Sequence, residues 1–139
     1  MVGKIAILLG CIAAASASAG TGPAAPDEPR RLAVGLWGGD HLRMMVTGAD
    51  ARLEYDCATG TIDRAIVLDA RGRFAVDGSY TAEHGGPARG ESAAAARARY
   101  AGRVEGDTMK LTVTLDTDRK PIGTFTLKRG DDVLLTKCR

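Results

Sequence analysis

The chain has 139 residues, enough for one domain of ordinary size, and 19 basic against 17 acidic residues leave a formal charge of +2. The two signs are interspersed without a block of either, which argues against nucleic acid as a partner. The six aromatic residues (Trp37, Tyr55, Phe74, Tyr80, Tyr100 and Phe125) are not set in basic stretches of the kind that stack bases, and the absence of Asn excludes N-linked glycosylation.

The amino terminus reads as an export signal. Lys4 precedes an apolar run from Ile5 to about Ala15, and Ala17-Ser18-Ala19 fits an A-x-A cleavage site, so residues 1–19 are expected to be a signal peptide. Export would place the mature protein in a periplasm or outside the cell. A permanent membrane span needs about 20 apolar residues, more than this run supplies. Leu8-Leu9-Gly10-Cys11 offers an alternative, a lipobox that would leave Cys11 as a lipid anchor. Cleavage there would leave the apolar Ile12 to Ala15 on the mature chain, so removal of the whole segment fits better. Residues 20–33 open with "GTGPAAPDEP" and read as a disordered lead-in, and residues 34–139 as one domain.

Within that domain the dominant pattern has period two. In "ARLEYDC" the residues Ala51, Leu53, Tyr55 and Cys57 alternate with Arg52, Glu54 and Asp56, as in a strand with one wet face. The same alternation runs through Phe74 to Tyr80, Ala98 to Val104, Met109 to Leu115 and Gly123 to Leu127. Weaker versions occur at 42–47, 65–69 and 133–138, which brings the expectation to about eight strands. "TGAD", "DARG", "EGD", "DTDRK" and "RGDD" supply turn chemistry between them, and the last accounts for Arg129-Gly130-Asp131 as a turn. Short turns between successive strands predict an all-β fold, a small antiparallel meander barrel, with a two-sheet β-sandwich as the alternative. The Ala-rich stretch 91–100 is the one helix candidate, and it is read as a loop that leads into a strand.

Once Cys11 leaves with the signal, Cys57 and Cys138 form an even pair, and an oxidising compartment makes them an expected disulfide. Two histidines each follow an acid, Asp40-His41 and Glu83-His84, and the second pair lies in "EHGGP" within the long irregular stretch 81–94. Together these four side chains could supply a metal site or an acid-base pair. Adjacent residues of an extended segment point to opposite sides, however, and no nucleophile motif accompanies them. The expectation is therefore no metal and no cofactor. Gly35-Leu36-Trp37 matches the G-x-W element that opens the first strand of lipocalins, or else places a lone tryptophan as a plug at one end of the core.

"LWGGDHLRMMVT", "LEYDCATGTID", "EHGGP", "GRVEGDTMKLTVTL", "IGTFTL" and the terminal "KC" resemble a group of small exported bacterial proteins of uncharacterised activity. The likeness spans about Leu36 to Cys138; it implies export and a single compact domain and carries no site residues. Tyr55-Asp56-Cys57 with a cysteine near the end is also distantly similar to the periplasmic inhibitors of c-type lysozyme, small eight-stranded barrels, although their later aromatic-rich segment is missing here. Shared fold alone does not carry function. The expected role is a non-enzymatic module that binds a small ligand, an envelope component or a protein, with Trp37, His41, Glu83 and His84 as candidate contacts. A metal protein or enzyme built on the two histidine loops, and a purely structural envelope protein, are the alternatives.

Overall fold

The computed structural model describes residues 29–83 and 94–138, together with Gly3 and Gly20. The expected signal peptide, Cys11, most of the lead-in, and the loop residues 84–93 that include His84 lie outside the described residues. Ten strands are formed: β1 (Arg30–Arg31), β2 (Gly35–Gly39), β3 (Leu42–Val46), β4 (Ala51–Tyr55), β5 (Ala58–Ile62), β6 (Val67–Leu68), β7 (Arg73–Ala82), β8 (Ala96–Glu105), β9 (Thr108–Leu115) and β10 (Pro121–Arg129). Eight of them close one antiparallel barrel in the order β10-β2-β3-β4-β5-β7-β8-β9. Closure decides between the two expected architectures, since a sandwich would leave edges open. β1 and β6 form a separate two-stranded ribbon, with Arg30 opposite Leu68 and Arg31 opposite Val67.

The strand count agrees with the alternation, but its membership differs. The stretch 65–69 contributes only β6, outside the barrel, and 133–138 forms no strand at all. Their places are taken by β2 and β5. In β5 the inward residues are Ala58, Gly60 and Ile62, too small on average for the pattern to register as hydrophobic. Gly60 is required there because a Cβ would collide with the Tyr100 hydroxyl and stand 2.9 Å from the Ser79 carbonyl oxygen. β2 hides behind its glycines in the same way, for a Cβ on Gly39 would run into the Thr126 carbonyl where β10 passes close. The terminal stretch does alternate, with Val133 and Leu135 half-buried around a fully exposed Leu134, but it lies as an extended strap without ladder bonds.

The barrel is filled. Trp37, Tyr100, Leu42, Met44, Leu53, Ile62, Met109, Leu111, Leu127, Val46 and Val113 are all fully buried inside it. The inward glycines at 78 and 102 make room for rings, since a Cβ at Gly102 would sit 2.6 Å from Phe74 and one at Gly78 would sit 2.7 Å from Tyr100. Large rings packed against bare backbone let a chain with few aromatics fill its barrel. At the lower end, where the turns 47–50, 69–72 and 106–107 lie, the backbone N–H of Leu32 donates to the Ile66 carbonyl at 2.9 Å and both side chains are buried. The lead-in expected to be disordered through residue 33 therefore joins the fold at Arg30.

Local chemistry accounts for the turns. Thr47 Oγ1 accepts the N–H groups of Ala49 and Asp50 in the first of them. Asp69 Oδ1 accepts those of Arg71 and Arg73, and Gly72 takes φ 76° in the same loop. Gly106 at φ 60° serves the two-residue hairpin between β8 and β9.

Candidate functional site at the upper end

The opposite, upper end carries the hairpin tips 40–41 and 56–57, the start of the long loop at Glu83, and the turn 116–120. Leu42 pairs with Gly39, so Asp40 and His41 form a two-residue tip, and His41 occupies the left-handed region at φ 68°. That conformation is uncommon for a residue with a Cβ, but histidine is among those that tolerate it best. Asp56 and Cys57 form the neighbouring tip between β4 and β5. The sequence pattern put Cys57 on the buried face; the ladder ends at Tyr55 instead, and Cys57 sits half-buried in the turn.

Asp56 ties this end together. Its Oδ2 pairs with His41 Nδ1, its Oδ1 accepts the backbone N–H of Thr136 at 3.1 Å, and its carbonyl accepts the N–H of Cys138 at 3.2 Å. Cys138 closes the expected disulfide to Cys57, with Cα atoms 5.2 Å apart across a sequence separation of 81. Lys137 Nζ donates to the Tyr55 carbonyl at 3.1 Å and lies 3.8 Å from Glu83 Oε2, while Glu83 N donates to the Cys57 carbonyl at 2.8 Å. Further along the strap, Arg43 Nη1 holds Asp132 at 3.1 Å and Nη2 holds Glu54 at 2.8 Å. The carboxyl-terminal strap is thus fastened to the Asp56-Cys57 tip, and His41 of the other tip is tied to the same Asp56.

Beneath these tips lies the top layer of the core. The Tyr55 ring meets Tyr80 and Phe125 edge-on at centroid distances of 5.3 and 5.7 Å. Its hydroxyl is buried without a hydrogen-bond partner among the described residues. Burial first, then the neighbouring Tyr100 and Tyr80 phenols, hold the Tyr55 phenol well above its ordinary range. Tyr100 is raised chiefly by burial, and its hydroxyl donates to the Ser79 carbonyl at 2.5 Å.

The candidate residues divide in three ways. His41 and Glu83 reach the same end and are joined through the Asp56-Cys57 turn rather than to each other. Trp37 is 0% exposed, and its Nε1 donates to the Ala33 carbonyl at 3.1 Å, so it fills the core on the side of the lower end. His84 lies outside the described residues. Sequence reading missed Asp56 and Lys137. Their signal was adjacency to the cysteines, since a Cys57–Cys138 bond necessarily brings the residues beside each cysteine together.

Chemically, an ionised Asp56 only accepts, so the proton of the pair sits on His41 Nδ1. Among the described residues the only hydrogen-bond partner of the His41 ring is Asp56. Among the described residues no group of three or more His, Cys, Asp or Glu side chains is placed to hold a metal. No helix among them is long and apolar enough to cross a membrane. Comparison with protein-family models, curated proteins and solved structures found no match to the chain.

Proposed function

We propose that this is an exported, non-enzymatic binding module that engages a protein or other envelope partner through its upper end. The observation that carries the reading is the fastening of the strap by Asp56 and the disulfide. Two tips, the strap and the start of the long loop are held in one arrangement, while His41, Glu83 and Lys137 keep much of their side chains in solvent at 75, 42 and 46% exposure. A rigid display of polar groups loses little entropy when a partner arrives. The packed interior favours a partner gripped from outside over a small ligand held in the lumen. The distant likeness to c-type lysozyme inhibitors makes that enzyme a sensible first partner to try.

The test compares the oxidised wild-type protein, immobilised, with a variant carrying Lys137→Glu and His41→Gly. Both are exposed to c-type lysozyme and to fractionated envelope components. A component held by wild type and lost by a variant of unchanged fold supports the reading; equal retention, or none, contradicts it. Export is checked by intact mass, which is expected to begin at Gly20.

A further inference from the structure

A second feature lies at the lower end, on the outer wall. A cleft of about 1060 Å³ opens between the β1–β6 ribbon and the face of β7 and β8. That volume is at the upper limit of ordinary ligand sites, about 300–1,000 Å³. Ala75 and Ala101, directly opposite each other on β7 and β8, line it together with Val67, which is 44% exposed, and Leu68. Arg30 and Arg73 also line it.

The strand register adds more positive charge. Arg73 stands directly opposite Arg103, and Arg103 directly opposite Lys110, so three exposed cations occupy one row across adjacent strands. Neighbouring strands are only about 4.8 Å apart, and like charges facing each other weaken a sheet. Two acids lie beside the row. Glu105 pairs with Arg103 at 2.9 Å, and Asp69 Oδ2 touches Arg73 Nε at 3.4 Å while its Oδ1 is taken by two backbone N–H groups. Asp69 thus anchors one side of the Arg73 guanidinium, and the terminal nitrogens have no hydrogen-bond or ion-pair partner among the described residues, so they can meet an anion. Lys110 has no ion-pair partner among the described residues.

We infer that this cleft binds a single-chain anionic amphiphile. The acyl chain lies over Ala75 and Ala101 against Val67 and Leu68, and the headgroup meets Arg73, Arg30 and the cation row. Charge complementarity selects this occupant. A neutral lipid would leave the row unanswered, and an anion without a chain would leave the apolar walls in water. The site is separate from the upper end, and neither depends on the other.

The experiment is calorimetric titration of the oxidised protein with dodecanoate and with lysophosphatidylglycerol, each below its micellar concentration. Dodecanoate methyl ester and acetate serve as the probes lacking charge and chain. One-to-one binding is expected for at least one anionic amphiphile, and the tighter of the two identifies carboxylate or phosphate as the headgroup. Ala75→Trp, on the solvent side of β7, should abolish binding without lowering thermal stability. Arg73→Gln or Arg30→Glu should weaken it about tenfold, as expected for loss of a charge-assisted contact. No binding by either amphiphile, undiminished binding by Ala75→Trp, or equal binding of the methyl ester or of acetate would each overturn the assignment. Selective binding of an acidic peptide in place of the amphiphiles would overturn it as well.

Discussion

Removing the disulfide offers the sharpest test of how the strap works. Cys57 and Cys138 are 81 residues apart, and the loop they close contains every barrel strand from β5 to β10. On the chain-entropy model, closing a loop of that length destabilises the unfolded chain by about 4.5 kcal/mol. Part of this is offset, because a reduced native protein can let the strap peel away. Residues 131–138 hold few hydrogen bonds, and none of the barrel ladder passes through them. Replacing both cysteines with Ala should therefore cost about 2–4.5 kcal/mol while the barrel persists. For about 100 ordered residues, at about 2.1 cal/mol/K each, every kcal/mol moves the midpoint by about 5 °C. The double variant should melt about 10–20 °C below the oxidised protein by circular dichroism. Hydrogen exchange should show lost protection at 136 and 138 and retained protection across β7, β8 and β9. A shift under about 5 °C, or loss of the barrel itself, would refute the reasoning.

Other substitutions probe the interior and the clasp. Gly102→Ala drives a methyl group into the Phe74 ring and should lower the urea midpoint by the equivalent of about 1–3 kcal/mol, whereas Gly106→Asn at an exposed left-handed turn should cost much less. Trp37→Ala should cost about 3–5 kcal/mol in equilibrium unfolding, and wild-type emission should be blue-shifted as for an indole shielded from water. Asp56→Ala frees both His41 and the Thr136 amide, so exchange at 136 should quicken even with the disulfide intact. At high pH the Tyr55 and Tyr100 phenols should stay protonated above pH 10 in the folded state. Because their folded pKa values are raised, the stability they contribute is complete below the ordinary tyrosine value of about 10 and is lost as pH climbs beyond it. Absorbance at 295 nm should accordingly report late, cooperative ionisation; early titration of all three tyrosines would contradict the packing. In acid the direction reverses. The backbone N–H of Arg73 foremost depresses Asp69, and the Arg99 hydrogen bond depresses Asp77, so their contribution is present above about pH 4 and fades below it, which urea midpoints from pH 5 to 2.5 should follow.

Strands whose inward residues are bulky were legible from period two alone: β4, β7, β8, β9 and β10 lie where the alternation put them, within a few residues. β2 and β5 were not, because glycine and alanine at inward positions answer to rings and carbonyls contributed by distant strands, which a local window does not contain. The strap misled in the opposite direction. Its alternation is real, with Val133 and Leu135 half-buried around an exposed Leu134, but the stretch forms no strand. The disulfide could be read by counting cysteines, and with it the meeting of Asp56 and Lys137 was implied but not drawn. The even spread of charge along the chain concealed the Arg73, Arg103 and Lys110 row, because antiparallel register brings onto one line residues that are 30 and 7 positions apart in sequence.

The proposal that the upper end is the binding face is tested most directly by photo-crosslinking in the native host cell. A photoreactive residue is placed at Asp40 or Lys137 and, as a control, at Thr124 on the outer wall of β10. A discrete adduct from positions 40 and 137, absent from 124, is the expected result. Adducts from 124 alone, equal adducts from all three, or none from the upper end would contradict the proposal that the fastened tips are where this barrel meets its partner.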